Sequence, residues 1–250
     1  MRRDVAARAP RPPPAAEQAR ALRVLDLLDA ALPEARIALR FGSDHELLVS
    51  VILSAQCTDA RVNLVTPALF ARYPEPAAYA RAEPEALWPF IQSCGLYRNK
   101  ARSIVAAMRA IEERHGGKVP REREALEELP GVGRKTAGVV LIHLGAGQHF
   151  PVDTHVGRVS RRLGFTRELD PGKVERRLMT LLPPERWNRG HQLLVWHGRR
   201  WCAARAPDCG GCPVAALCPR RGVERVRATA PTRGAAPSSR RRRARRPSRP

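Results

Sequence analysis

Apolar residues recur at intervals of three and four along most of this 250-residue chain, and this spacing most restricts the folds open to it. In residues 17–32 the spacing places four leucines on one helical face: Leu22, Leu25, Leu28 and Leu32. Similar patterns predict helices at 99–114, 134–144, 154–164, 172–182 and 188–200. No run of alternating apolar and polar residues between turn signals predicts a strand. We therefore expect an all-α body of two packed helical lobes, without an internal repeat.

Local signals refine two of these helices. Ser43 followed by Glu46 is a capping-box signature, and the apolar period continues from Leu47 to Ile52. The segment Val139–Ile142 is rich in β-branched residues, which suggests a strand. However, no turn signal separates it from the helix that starts near Arg134. We therefore interpret this segment as buried helix.

The chain has 45 Lys and Arg against 24 Asp and Glu, a formal net charge of +21. The net charge is +3 for residues 1–20, +11 for residues 219–250 and +7 for the rest of the chain. The body is therefore basic as well as the ends. This balance argues against an acidic small-molecule enzyme and favours a polyanionic partner.

The two ends are expected to be disordered, as an N-terminal arm at 1–15 and an Arg-rich tail at 219–250. The arm contains APRPPPA, and the tail has few large apolar residues and a charge block at Arg240–Arg246. The tail is either a solubilising extension or a nonspecific phosphate contact. The longest mostly apolar run, Leu47–Ala55, is too short to span a bilayer, and no signal peptide is evident. These features predict a cytoplasmic protein with no membrane partner.

Four of the six cysteines fall within 17 residues, with the spacing C-x6-C-x2-C-x5-C: Cys202, Cys209, Cys212 and Cys218. Because cytosolic thiols stay reduced, this cluster indicates a metal centre rather than disulfides. An iron–sulfur cluster, a structural zinc ion and a segment without metal are all open, and the wide gaps favour iron–sulfur. Arg205, inside the cluster loop, is either a phosphate contact or a solvated side chain. Cys57 and Cys94 are interpreted as small buried apolar residues.

Residues 129–137 read LPGVGRKTA, which predicts a tight turn between two helices. Gly131 and Gly133 can adopt positive φ and leave backbone N–H groups uncovered at a helix start, where an anion is favoured. A phosphate site is expected here, although an ordinary helical turn could use the same residues. Lys135 lies in the first turn of the helix, where the helix dipole and Arg134 should lower its pKa. It is either a nucleophilic amine able to form a Schiff base or an exposed surface lysine.

Asp153 follows 18 residues after Lys135, within PVDTHV. Its carboxylate, or the Thr154 hydroxyl, would cap the next helix. A carboxylate beside a sugar could also stabilise a developing oxocarbenium ion or move a proton.

Together these motifs resemble the endonuclease III family of DNA glycosylases, in the helix-hairpin-helix superfamily. The resemblance includes LPGVGRKTA (129–137), VDTHV (152–156), LLVSVILSAQCTD (47–59), GLYRNKA (95–101) and the cysteine spacing. It covers roughly residues 17–218. The fold it implies is a helical barrel lobe at 37–147 and a cluster lobe built from 16–36 and 148–218.

The resemblance also implies an activity. The implied enzyme is a bifunctional glycosylase and abasic-site lyase that acts on oxidised pyrimidines in double-stranded damaged DNA. We expect it to be a monomer associated with the nucleoid. A [4Fe–4S] cluster would be bound by the four cysteines. Lys135 would be the nucleophile and Asp153 its carboxylate partner. Gln56 and Leu96 would fill the DNA stack when the damaged nucleotide turns outward, and His155 would lie near the DNA.

Two positions depart from the family pattern, since Gly138 replaces a common Asn and Cys57 a smaller residue. Two other functions compete with the expected one. The adenine-mismatch branch shares the cluster and the hairpin, but it typically lacks the hairpin lysine and has a further recognition domain. A noncatalytic DNA-binding module would bind duplex DNA without cutting it, but would not require Lys135 and Asp153.

Overall fold

A computed structural model of the chain describes residues 12–223, and every regular element within that range is helical. The all-α prediction is therefore confirmed. The α-helices are α1 (Ala15–Ala31), α2 (Asp44–Ser54), α3 (Asp59–Arg72), α4 (Pro76–Ala80), α5 (Trp88–Ile91), α6 (Tyr97–His115), α7 (Arg123–Glu127), α8 (Arg134–His143), α9 (Thr154–Arg162), α10 (Pro171–Leu181) and α11 (Trp187–Arg200). Short 3₁₀ helices occupy Pro84–Leu87, Pro184–Arg186 and Ala215–Leu217. No helix in the described range is long and apolar enough to cross a membrane.

Disorder is expected at both ends of the chain, and most of these two segments lies outside the described residues, since 1–11 and 224–250 are not described. The expected tail starts at 219, and its first five residues are described. There the Arg221 N–H donates a hydrogen bond to the Arg162 carbonyl at 3.2 Å. This part of the chain therefore contacts the helical body.

Side-chain caps fix several helix starts. The Ser43 hydroxyl accepts a hydrogen bond from the Glu46 N–H at 3.4 Å, as the capping box predicts. The Glu46 carboxylate, however, accepts from Gly42 rather than from Ser43. Asp170 caps α10 by accepting from the Lys173 N–H at 2.8 Å, and Pro171 supplies the first helical residue.

Helix α3 was not predicted, and Pro67 lies inside it. Proline in a helix interior removes one hydrogen bond and disfavours the helical conformation before it. Thr58 compensates at the start of α3 by accepting from the Arg61 N–H at 3.2 Å. Burial of Val62, Thr66 and Leu69 then anchors the helix to its neighbours, as α2 and α5 pack against it.

The buried apolar side chains form two separate clusters. The first core draws its residues from Leu39 to Leu144, and the second from Ala21–Ala35 and Phe150–Val214. Helix α1 joins the second core by packing against α10 and α11, and Arg20 donates a hydrogen bond to the Leu163 carbonyl at 2.9 Å. We propose that these cores are those of the two lobes, at 37–147 and at 16–36 plus 148–218.

The hairpin between α7 and α8 requires glycine at one position. Gly131 has φ +80°, and a Cβ there would come within 2.5 Å of the Ser103 Cβ on α6. The Val132 N–H closes the turn onto the Leu129 carbonyl at 3.0 Å. This turn directs the start of α8 towards the gap between the two cores.

Candidate functional site

A cavity of about 720 Å³ opens between the two cores. One wall comes from the end of α2, the following loop and the start of α8. The other comes from the start of α9, the loop before α10 and the end of α11. Four of the residues expected at the site line this cavity: Gln56, Lys135, Asp153 and His155.

Lys135 lies in the first turn of α8 and presents its exposed surface to the cavity. The surrounding protein displaces water from the ammonium group, and this burial lowers the pKa of Lys135. Asp153 and Asp59 act in the opposite direction, and the Arg199 charge lowers the pKa further. The pKa of Lys135 is therefore lowered, as the sequence predicts, but the Arg134 charge is not the cause. Arg134 turns away and forms an ion pair with Glu175 at 2.5 Å.

Asp153 is the N-cap of α9. One of its carboxylate oxygens accepts a hydrogen bond from the Val156 N–H at 2.8 Å. This contact fixes the carboxylate at the cavity wall, in the same space as Lys135. The residue can therefore cap a helix and face a ligand in the cavity at once.

His155 lies beside Asp153 on the first turn of α9. Arg158 donates a hydrogen bond to its Nδ1 at 3.1 Å, and burial lowers its pKa. A Cβ on Gly198 would come within 3.0 Å of the His155 ring, so glycine at 198 makes room for it. The imidazole is therefore held neutral and in a fixed orientation at the cavity.

The sequence analysis missed several residues that line the cavity. Asp59 and Arg199 form an ion pair at 2.8 Å across the cavity, joining the start of α3 to the end of α11. Arg161 adds a second cation, and Leu169 exposes 77% of its surface at the cavity edge. Only tertiary packing unites these positions, since they lie in four separate segments of the chain.

Gln56 and Leu96 are brought close together although 40 residues separate them. Both have left-handed backbones, with φ +53° and +58°. A Cβ on Gly95 would lie 3.6 Å from the Gln56 carbonyl oxygen, so the two loops adjoin. Leu96 is 59% exposed and lies outside the cavity lining, whereas Gln56 is part of it. Strained backbones of this kind concentrate at functional positions.

The hairpin leaves backbone donors free at the start of α8. Gly133 is the N-cap, and no side chain caps this helix. The first backbone hydrogen bond of α8 runs from the Ala137 N–H to the Gly133 carbonyl at 2.9 Å. Gly131 and Gly133 are exposed and lie outside the cavity lining. The exposed turn can therefore accept an anion next to the cavity.

The four clustered cysteines line a pocket of their own, and none forms a disulfide. Hydrogen-bond donors approach their sulfurs: Arg162 is 3.4 Å from the Cys202 sulfur, and the Arg220 N–H is 3.4 Å from that of Cys218. Within residues 12–223, no three His, Cys, Asp or Glu side chains converge on a single ion. Four free thiols around one pocket, with N–H donors towards sulfur, fit a [4Fe–4S] cluster.

Arg205 is exposed on the loop between the first two of these cysteines. Arg162 holds this loop by donating hydrogen bonds to the carbonyls of Ala203 and Ala204. Arg205 does not line the main cavity, so any contact with a ligand must come from outside it.

The family of HhH-GPD superfamily base excision DNA repair proteins matches residues 49–184 of the chain. Endonuclease III of Synechocystis sp. is 48% identical over 206 residues, which cover 82% of this chain and 94% of that protein. Endonuclease III of Escherichia coli K12 is 41% identical over 201 residues, covering 80% of this chain and 95% of that protein.

Solved structures show the same similarity. A trapped covalent intermediate of endonuclease III with DNA superposes with a TM-score of 0.78 and 43% identity. The alignment covers 81% of this chain and 96% of that one. A thermostable thymine-DNA glycosylase superposes with a TM-score of 0.70 at 22% identity, which shows the shared fold.

Proposed function

The chain belongs to the endonuclease III family of HhH-GPD base excision repair proteins, and we propose that it acts on oxidised pyrimidines in duplex DNA through Lys135 and Asp153. As a member, it is a bifunctional DNA glycosylase and abasic-site lyase. The observation that carries the residue assignment is that one cavity holds both side chains while burial lowers the pKa of the lysine. We further propose that it works as a monomer in the cytoplasm, associated with the nucleoid.

Lys135 supplies the nucleophile. Its neutral amine attacks C1′ of the damaged nucleotide, and the bond from C1′ to the base breaks as the base leaves with the electron pair. The proton that the nitrogen loses is passed to O4′ as the bond between C1′ and O4′ breaks, and this opening of the sugar gives an iminium ion. The iminium makes the 2′ hydrogens acidic, and β-elimination then breaks the bond to the 3′ phosphate. Burial supports this role because it favours the neutral amine at lower pH.

Asp153 stabilises the positive charge that develops on the sugar and accepts or returns protons at its free oxygen. Its cap contact with Val156 N–H holds the carboxylate in place without reorganisation during the reaction. His155, neutral and held by Arg158, contacts the DNA beside it.

The target C1′ is inaccessible in stacked DNA, so the nucleotide must turn outward at a cost of a few kcal/mol. Gln56 and Leu96 fill the space it leaves, and the contact between their loops supports a joint role. The N–H groups near Gly131 and Gly133 bind a phosphate, and Arg205 contacts the backbone from the cluster loop.

A [4Fe–4S] cluster held by Cys202, Cys209, Cys212 and Cys218 would cross-link the end of the second lobe. When bound, it supplies a rigid anchor for the loop that carries Arg205. Purified protein should be yellow-brown and contain about four irons per chain. Zinc without iron in the purified protein would contradict this assignment.

Borohydride trapping on DNA with an abasic site tests the nucleophile, because the reagent reduces the iminium to a stable bond. The chain has four lysines, at 100, 118, 135 and 173, so each can be replaced in turn. Lys135→Ala should lose the trapped adduct and still bind DNA, whereas Lys118→Ala should trap normally. Adduct formation by Lys135→Ala would assign the chemistry to another amine.

A substrate comparison separates the competing functions. We expect cutting of a duplex with thymine glycol and none of a duplex with adenine opposite 8-oxoguanine. The reverse preference would favour the adenine-mismatch branch. Binding without cutting of either duplex would favour a noncatalytic module.

A further inference from the structure

The segment between α8 and α9 runs from the first core to the second, and side chains of α11 hold it at three points. The Asn188 side-chain N–H donates to the Gly147 carbonyl at 3.1 Å, and the Asn188 Oδ1 accepts from the His149 N–H at 2.8 Å. One helical turn later on α11, the His191 Nδ1 lies 2.8 Å from the Pro151 carbonyl oxygen. The three contacts fall at every second residue of the segment, so α11 fixes its register.

The His191 ring has one tautomer and one orientation. A carbonyl oxygen only accepts hydrogen bonds, so the Nδ1 carries the proton and donates to Pro151. The residue is 4% exposed, and this burial lowers the pKa of His191, which keeps the ring neutral at pH 7. Phe150 packs edge-on against the ring, with the two centroids 6.5 Å apart.

Pro151 connects this hydrogen bond to the site. Its ring packs against Gly138 of α8, where an added Cβ would come within 2.9 Å of the Pro151 Cγ. Gly138 follows Lys135 by three residues, and Pro151 precedes Asp153 by two. Because Pro151 contacts α8 and His191 at once, its position sets the separation between the amine and the carboxylate.

A second, smaller cavity of about 70 Å³ is lined by His191 together with Lys135 and Asp153. Lys135 and Asp153 also line the first cavity, whereas His191 lies outside that lining. The imidazole is therefore next to both functional groups without facing the space in which a nucleotide would bind.

We propose that His191 is a positioning residue for the repair reaction. Its hydrogen bond to the Pro151 carbonyl holds Asp153 at the distance from Lys135 that the reaction requires. This inference rests on the roles proposed above for Lys135 and Asp153.

The test measures single-turnover cutting of a duplex with a preformed abasic site by the full-length protein with its metal centre. His191→Phe keeps the ring and removes the donor. Its rate should fall about tenfold or more, because a misplacement of about 1 Å can cost up to about 10²-fold. Affinity for the duplex should stay unchanged. His191→Asn, whose side-chain N–H can take the place of the Nδ1 donor, should recover most of the rate.

His191→Gln places its donor where the Nε2 lies, away from the Pro151 carbonyl, and should cut slowly. If His191→Phe does not fold, the comparison of the Asn and Gln variants carries the same test. Equal rates in these two variants would overturn the proposal.

A double-mutant cycle separates positioning from a general loss of structure. Asp153→Asn can still cap α9 but removes the carboxylate. If His191 acts through Asp153, adding His191→Phe to Asp153→Asn should give little further loss, since residues of one network are not additive. Additive losses would overturn the proposal.

Trp187→Phe is the matched control. Trp187 is also on α11, its ring N–H donates to the Leu182 carbonyl at 2.8 Å, and it lies outside the lining of both cavities. It should cut at the wild-type rate, and a loss equal to that of His191→Phe would overturn the proposal. Full activity of Asp153→Asn would instead contradict the proposed role of Asp153, so the two failures are distinguishable.

Discussion

At the residue scale, the chemistry of the site depends on the surroundings of a single amine. A lysine at a helix start is ordinary on a surface, but Lys135 faces a cavity whose walls come from both lobes. Burial is the main cause of its lowered pKa, and Arg199 acts in the same direction. Arg199 also neutralises Asp59 through their ion pair at 2.8 Å, which weakens the opposing effect of that carboxylate.

Replacement of Arg199 should therefore raise the pKa of Lys135. In Arg199→Gln a positive charge is lost and Asp59 is freed, and both changes favour the ammonium form. A raised pKa leaves less neutral amine at any given pH below it. The pH profile of single-turnover β-elimination on abasic DNA should shift towards alkaline pH.

The matched control is Arg200→Gln, which removes the neighbouring arginine on α11. Arg200 pairs with Glu34 at 3.2 Å and does not line the cavity. Its profile should coincide with that of the wild type. Equal shifts in both variants would show that general charge, rather than the cavity, controls the amine.

At the element scale, two buried glycines in helices differ in the space around them. Gly138 in α8 faces Pro151, whose Cγ would lie 2.9 Å from an added Cβ. Gly157 in α9 would meet only the end of the flexible Arg161 side chain at 3.4 Å and Val152 at 3.8 Å. Close packing of α8 against Pro151, in the segment before α9, thus explains glycine at position 138.

We expect opposite effects of alanine at these two positions. Gly138→Ala should lower the free energy of unfolding by about 1–3 kcal/mol, as overpacking against a rigid proline ring does. Gly157→Ala should leave it unchanged or raise it by up to about 1 kcal/mol, because alanine reduces the entropy of the unfolded chain. Denaturant titration of both proteins checks this, and a stabilised Gly138→Ala would contradict the packing argument.

At the scale of the whole molecule, charged pairs join the two lobes beside the cavity. Glu175 on α10 is 3% exposed and contacts Arg134 at 2.5 Å and Arg123 at 3.4 Å. Both arginines belong to the hairpin segment of the first lobe. The ion pair between Asp59 and Arg199 joins the two lobes at a second point. These contacts fix the relative positions of Lys135 and Asp153, which lie on opposite sides of the boundary.

Glu175→Ala should therefore destabilise the protein by about 3 kcal/mol, because it removes the carboxylate that pairs with both Arg134 and the largely buried Arg123, and leaves Arg123 only its pair with Glu127 at 3.6 Å. The control Glu83→Ala removes a carboxylate that is 77% exposed and pairs with Arg109 at 3.5 Å. That change should cost less than about 1 kcal/mol. Equal losses in the two variants, measured by denaturant titration, would count against a structural role for Glu175.

The basic C-terminal segment makes a separate prediction. Residues 224–250 contain ten arginines and one glutamate. Removal of these residues should weaken binding to undamaged duplex DNA and reduce the dependence of affinity on salt, because fewer counterions are released. Fluorescence anisotropy across a salt series measures both effects. An unchanged slope would mean that this segment does not contact phosphates.

Short-range patterns predicted most helices within a few residues, including α8 despite its β-branched run, because the apolar period and the caps act locally. The same reasoning missed α3, where Pro67 opposes a helix that burial in the first core sustains. It also predicted that the pKa of Lys135 is lowered, but it gave as causes the helix dipole and the Arg134 side chain rather than burial. That side chain is drawn away by Glu175, which lies 41 positions further along the chain.

The sequence by itself determined the helical class, the four-cysteine segment and the identity of the candidate nucleophile and carboxylate. Each depends on residue types at short spacings. The tertiary structure alone decided that Asp59 and Arg199 meet across the cavity and that Leu169 borders it. Asp59 and Arg199 lie 140 positions apart, and no local pattern encodes which distant surfaces bury each other.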